Sequence, residues 1–502
     1  MDCRHHPTCP GCAYAGRPYD AQLIVKAARL KTAFAHYPHL GDPGPVTGAL
    51  FADGYRHRLK LPVRIERDHA AIGLYDRDGR RVLDTPDCPV LEPGLRAALA
   101  KVQAWMAGRR GIHSLDLRRS ALTGELAAVI ACDGGSLPGG VRGAKQLMAD
   151  VPGLVSVSVS TADPEHKRVI GDAAQLVAGV EAIDEAIGET RYRLHAGAFF
   201  QVDPRNAVQI HERVKALVGD ATRVLDLYAG VGAYARMLAP GREQVVAVEE
   251  ISASVKSARE GAPANLQVIR AKVETLDLDD AFDVAILNPA RRGSDPATLA
   301  RVAKLAKRLV YVSCSPETLA RDLDILAAHG MRVRSTQGVD LFPQTPEVEV
   351  VVGLERGEPL ESWRVPGGKA TSPWNKPWSG ALGRPTEVVA LVLGDPGEHG
   401  KLPTGRFRRI GIVATHALVR IELEGAVVPA LAALARDGHR VCGRDPKTAR
   451  FFAEKAGLVR PFVHVHKAGG AVAPLHGDLV VALQALGATP VMIARAGGPA
   501  VG

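Results

Sequence analysis

Arg223-Val-Leu-Asp226-Leu-Tyr228-Ala-Gly230-Val-Gly232 runs a short apolar stretch straight into a turn with two glycines. Glycines at such a turn let the backbone bend sharply and come close to a ligand. A second apolar run, 245–248, ends at Glu249, where an acid can hold both hydroxyls of a ribose. Further apolar runs at 283–287 and 309–313 alternate with helical patterns, and 348–354 reads as a final edge strand. This rhythm over 191–357 predicts an α/β fold, a Rossmann-like doubly wound sheet whose ligands bind beyond the strands' carboxyl ends. No third glycine stands at pyrophosphate spacing, which favours S-adenosylmethionine over a dinucleotide.

Around that block the 502 residues divide further. Residues 1–90 hold a cysteine cluster, an amphipathic helix over 19–34 and strands at 58–65 and 71–75. Residues 91–190 read as an inserted α+β domain, with a helix over 95–107 and strands at 115–119, 126–131 and 154–160. Residues 358–385, rich in Gly, Pro, Ser and Trp, read as a linker. An α+β C-terminal extension, 386–502, follows, with strands at 387–393, 408–413 and 416–423 and a helix over 428–436.

The 46% hydrophobic and 23% charged content is that of a globular chain. No apolar run is long enough for a membrane span, and the first residues lack a signal core, so no membrane and a cytoplasmic location are expected. The net charge of +9 fits a polyanion partner without establishing one. Seven cysteines, three of them within the first twelve residues, argue for metal binding and catalysis over a disulfide scaffold.

Cys314 lies at the end of the run 309–313, before a helix start led by Pro316. A thiolate there is placed to add to an electron-poor ring. The stretch Tyr311-Val-Ser-Cys314-Ser-Pro-Glu-Thr-Leu-Ala-Arg-Asp-Leu323, with Phe342-Pro-Gln-Thr-Pro-Glu-Val-Glu349, resembles the uracil-5 RNA methyltransferase family. That resemblance implies methyl transfer from S-adenosylmethionine to carbon 5 of a uridine, with Cys314 as nucleophile and Glu349 as general base. By motif position it assigns cofactor contacts to Gln201, in Ala198-Phe-Phe-Gln-Val-Asp203, and to Asp226, Tyr228, Gly230, Gly232, Glu249 and Asn288. Departures from the family pattern are Ala229, Ala233, Ser315, Glu347 and the Asn288-Pro-Ala290 stretch. Glu347 is expected to share one face of an extended strand with Glu349, solvated and inert.

Cys3, Cys9, Cys12 and Cys88 supply four thiolates, enough for a tetrahedral zinc, with His5 or His6 able to replace one, or for a cubane cluster. Spacing alone slightly favours zinc. The resemblance, through Cys9-Pro-Gly-Cys12, Tyr19-x2-Gln22-Leu23-x2-Lys26 and Cys88-Pro89, implies a 4Fe–4S cluster instead. Family analogy then favours rRNA over tRNA as the RNA partner, and the chain is expected to be a monomer. Tyr55-Arg56-His57-Arg58 resembles a family segment and offers charges for an RNA backbone. Because the sequence starts at the cysteines, no oligonucleotide-binding barrel of the kind some relatives carry is expected. The segments 389–394, 416–425 and 437–445 faintly resemble large-subunit-type pseudouridine synthases, yet no Arg-Leu-Asp triplet, which those enzymes need, occurs in the chain. A degenerate RNA-docking module is the expectation there.

Overall fold

The computed structural model describes the chain except residues 36, 80, 163–172, 279–280, 359–384, 425–426, 443–461, 469–470, 473–474, 476 and 498–502. The linker expected at 358–385 lies almost wholly outside the described residues. Two compact units form, 1–31 with 42–360, and 32–41 with 361–502.

In the first unit, the Arg223–Leu227 run is a central strand because its apolar residues are covered on both faces. It pairs in parallel with Gln244–Glu249 on one side and Phe282–Leu287 on the other. Leu266–Arg270 follows at one end, and Ala306–Ser313 continues the other. The direction of winding therefore reverses at Arg223–Leu227, where such sheets open a crevice. Glu349–Arg356 corrects the expectation of an edge strand. It lies inside the sheet, antiparallel to both Ala306–Ser313 and Met331–Val339, and Val46–Thr47 pairs beyond the latter. Its six residues from Glu349 to Leu354 are all buried, as an interior strand requires.

The boundary placed at residue 90 is also corrected. Arg58–Ile65 and Ala70–Ile72 join Ile112–Arg119, Leu126–Cys132, Leu154–Thr161 and Ala174–Gly179 in one six-stranded sheet. A buried ion pair sits in this ladder, Arg58 Nε donating to Asp116 at 2.8 Å. Arg58 also donates to the Ala198 carbonyl, and His57 is buried, so of the basic residues in that segment only Arg56 stays partly exposed. Helices Pro93–Met106 and Gly140–Asp150 pack their apolar faces onto this sheet. The hairpin Ala182–Ile187 with Thr190–His195 straddles the other expected boundary and packs with Phe200, Ala207 and Val231.

The second unit holds an antiparallel sheet ordered His399–Leu402, Gly405–Val413, His416–Leu423, Pro385–Leu393, Val463–Ala468, Ala471–Val472. Separate apolar clusters cover its two faces, one including Leu431 of helix Val427–Arg436, the other Leu479 of helix Gly477–Ala485. Among the described residues no helix is long and apolar enough to cross a membrane.

Candidate active site

Strand register brings the expected residues to one end of the sheet. Leu227 pairs with Leu287, and Leu287 with Tyr311, so Tyr228, Asn288 and Val312 stand level just past the end of the parallel pairing. On the antiparallel side Ser313 pairs with Val350, which puts Cys314 level with Glu349 one step on. The backbone ladder fixes this register as far as Ser313 and Val350.

The glycine turn is strained as a close-approach site demands. Tyr228 has φ 60°, a left-handed backbone unfavourable for a bulky residue. Gly230 also has positive φ, and a side chain there would meet no atom within 4 Å, leaving room beside the turn. Tyr228's hydroxyl shares a 2.7 Å hydrogen bond with Ser294. Glu249 accepts from the Gly230 amide and the Ile251 amide, both at 2.8 Å. Its carboxylate is thus held at the turn by two backbone amides.

Asp226 lies differently. It is fully buried beneath the turn, accepts from the Ala235 amide at 3.0 Å, and is pushed up to about 7 by burial. It anchors the following helix instead of facing the crevice. Gln201 is partly exposed just before Asp203, which caps helix Pro204–Val218 by accepting from the Asn206 amide. Asn288 is half-buried, its amide donating to Leu227.

Cys314 sits between two serines that lock the turn: Ser315's amide donates to Ser313 Oγ, and Ser313 Oγ donates to the Ser315 carbonyl. Pro316 then opens helix Pro316–Ala328, where a missing N–H costs nothing. Burial first, then the Glu349 carboxylate, push the thiol up to about 11, with Arg291 pulling the other way. Burial likewise raises Glu349 to about 7, opposed by Arg291 and aided by Glu347. Glu347 is not solvated and inert. It precedes the strand, and its carboxylate lies 3.2 Å from Arg291 and 3.8 Å from Arg29. The sequence reading assigned no role to either arginine; Arg291 stood in plain view in the Asn288-Pro-Ala290-Arg291 stretch.

The loop before Glu349 is gripped from the N-terminal segment. Lys26 forms a buried 2.5 Å ion pair with Asp340, Gln22 donates to the Gln344 side chain, and Tyr14's amide donates to the Gln344 carbonyl. Tyr14 stands two residues past Cys12. The Cys12 thiol is pushed up to about 12 by burial and by Cys88, Cys9 and Cys3, so the four thiols lie within electrostatic reach of one another. Gly11's amide donates to Cys9 Sγ at 3.5 Å, and a side chain on Gly11 would meet Leu74 at 2.9 Å. Among the described residues no three Cys, His, Asp or Glu side chains already stand at metal-ligating distance.

Residues 167–357 match the sequence profile of the tRNA (uracil-5-)-methyltransferase family. An RNA methyltransferase of Gloeobacter violaceus, described as uncharacterized, is 33% identical over 370 residues, covering 69% of this chain and 81% of that one. The chain belongs to the RNA (uracil-5-)-methyltransferase family. A second such relative, from Geobacter sulfurreducens, is 31% identical over 72% of this chain and 79% of its own length. The crystal structure of Pyrococcus abyssi tRNA (uracil-54, C5)-methyltransferase with S-adenosyl-L-homocysteine superposes with a TM-score of 0.58. It is 25% identical and covers 69% of this chain and 86% of that one. Family and fold make the chain an S-adenosylmethionine-dependent RNA (uracil-5-)-methyltransferase. A member of this family using Glu249 for the ribose loses S-adenosylmethionine affinity about 10-fold or more on Glu249→Gln, since a charge-assisted hydrogen bond contributes about 1.5–3 kcal/mol. Calorimetric titration checks this, and unchanged affinity removes Glu249 from the cofactor site.

Proposed function

We propose that the chain methylates carbon 5 of a uridine in rRNA through a covalent bond between Cys314 and the ring. The observation that carries this reading is the register that sets Cys314 level with Glu349 beyond the pair Ser313–Val350. Carbon 5 of uracil is a poor nucleophile. When the Cys314 sulfur, having given up its proton, bonds as the thiolate to carbon 6, the electron pair of the ring double bond moves onto carbon 5 and the adjacent carbonyl, making an enolate. S-adenosylmethionine would supply the electrophilic methyl group that carbon 5 takes up, with S-adenosylhomocysteine as the leaving group. Glu349 then accepts the proton from carbon 5, the double bond re-forms, and the carbon 6–sulfur bond breaks to release the thiolate. Arg291, paired with Glu347, carries a positive charge that opposes the rise of both groups and so favours the thiolate. Gln201, Tyr228, Gly230, Gly232, Glu249 and Asn288 are the residues we assign to the cofactor. Asp226 supports that turn from beneath.

A 4Fe–4S cluster on Cys3, Cys9, Cys12 and Cys88 belongs to the same proposal. Four cysteines that influence one another's ionisation and a backbone amide aimed at one sulfur fit a thiolate-ligated cluster. Its reduced thiols suit the cytoplasm. Protein purified without oxygen is expected to carry about four irons and four sulfides per chain, and Cys88→Ala to lose them. Zinc in their place would sink the cluster and keep the four ligands.

A tRNA substrate is the second reading, favoured by the Pyrococcus abyssi enzyme, which acts on tRNA. We assign the second unit to RNA docking, since its sheet carries Arg406, Arg408 and Arg409 along one strand and the chain has no Arg-Leu-Asp triplet. Labelled methyl transfer to rRNA and tRNA lacking 5-methyluridine, read out as nucleosides, decides the substrate. Label in neither would overturn the reading.

A further inference from the structure

The ladder between the two catalytic strands ends at Ser313 and Val350, just short of Cys314 and Glu349. Beyond that point no backbone hydrogen bond of the sheet holds nucleophile and base together. One side chain spans the gap directly. Arg29, on helix Tyr19–Ala35, donates from Nε and Nη2 to the two oxygens of Glu317 at 2.8 and 3.0 Å. From Nη1 it donates to the Pro346 carbonyl at 2.8 Å. Glu317 lies three residues after Cys314, in the first turn of its helix; Pro346 lies three residues before Glu349.

We propose that Arg29 is a positioning residue for the methyl-transfer reaction, fixing the segment that carries Cys314 against the loop that carries Glu349. The inference rests on the roles given to those two residues above. Its physical basis is geometric. Once the sulfur is bonded to carbon 6, the proton on carbon 5 has one direction of departure, and the base must already stand there. A displacement of about 1 Å between reacting groups can cost about 100-fold in rate. A planar guanidinium, fixed bidentately on one carboxylate with its remaining nitrogen on a carbonyl, sets distance and angle together; an ammonium makes only a point contact. The helix that carries Arg29 is itself pinned, because Lys26 and Gln22 on the same buried side grip Asp340 and Gln344 of the base's loop. One helix thus acts as a bar across both segments, which explains why polar residues line its buried face.

The test uses the full-length chain with RNA lacking 5-methyluridine, comparing wild type with Arg29→Ala, Arg29→Lys and Glu317→Gln. For Arg29→Ala we expect kcat to fall about 100-fold, with KM for RNA and for S-adenosylmethionine within about threefold of wild type. A denaturing gel should show more covalent protein–RNA complex than wild type, because the adduct forms while proton removal lags. Arg29→Lys should recover part of kcat, and Glu317→Gln should lose about 10-fold by weakening only the nucleophile side. Unchanged kcat overturns the proposal. So does a raised KM for RNA alone, which would make Arg29 an RNA contact. A kcat loss with no accumulated complex and no recovery by lysine reads as general destabilisation and overturns it too. Should Arg29→Ala fail to fold, Glu317→Gln carries the same comparison, since it keeps size and removes only charge. If wild type itself makes no 5-methyluridine, the proposed function fails, not this inference alone.

Discussion

Cys314→Ala is expected to abolish 5-methyluridine formation, by about 10⁴-fold or more, while leaving S-adenosylmethionine affinity within about twofold. The size follows from the chemistry. Without a sulfur at carbon 6 the ring never becomes an enolate, and carbon 5 cannot attack a methyl group at a useful rate. Neither flanking serine is suited to replace it: the Ser313 hydroxyl bonds the Ser315 backbone, the Ser315 hydroxyl donates to Glu317, and an alcohol is a far weaker nucleophile than a thiol. The unchanged cofactor affinity follows from the layout. The glycine turn follows strand Arg223–Leu227, and Cys314 follows strand Ala306–Ser313, two places along the sheet. The measurement pairs methyl transfer with trapping on 5-fluorouridine RNA, where fluorine blocks the final elimination and the covalent complex persists. Wild type should trap and Cys314→Ala should not. Residual turnover above about 1% of wild type would show that another group attacks the ring.

The parts of this architecture that could be read from the chain are those set by local chemistry. Val245 to Val248 form a continuous apolar run because a parallel strand is covered on both faces, and Gly230 and Gly232 stand where the backbone has positive φ. The Cys314 and Glu349 segments were legible through motif. What stayed hidden depends on partners distant in sequence. Met331–Val339 reads as a mixture of polar and apolar residues, and only its pairing with Glu349–Arg356 makes it a strand and moves the latter off the edge. The helix over 19–35 was legible as a helix, yet its buried side includes Gln22 and Lys26 while Ile24 is 70% exposed. A hydrophobicity pattern assigns those two polar residues to solvent. Their partners, Gln344 and Asp340, lie more than 300 residues away, so no local signal could correct it. Glu347 was misread for the same reason: both cations beside it come from other segments. The residue-90 boundary failed because Arg58–Ile65 leaves the cysteine-bearing region to pair with Ile112–Arg119.

Glu349→Gln is expected to stop turnover by about 10³-fold while still allowing the methyl group to leave the donor. The variant should therefore accumulate a methylated Cys314–RNA complex, visible on a denaturing gel and carrying label from S-adenosylmethionine. That separates the base from the nucleophile, since Cys314→Ala makes no complex at all. The pH dependence has a definite sign. Burial raises the Glu349 carboxyl from 4.5 to about 7, and only its ionised form accepts a proton, so wild-type kcat should climb with pH through about 7 and then level. The same burial has a cost for the fold. A carboxyl whose folded pKa exceeds its unfolded value favours the folded state below about pH 4.5 and loses that advantage as pH rises through about 7. The difference corresponds to about 3 kcal/mol by pH 8, an order-of-magnitude figure. Glutamine cannot ionise, so Glu349→Gln should melt above wild type at pH 8 and close to it near pH 4.5. A variant that is slow, yet no more stable at pH 8, would mean that Glu349 is not held in a desolvated site. The carboxyl would then be too weak a base near neutrality for the role given to it.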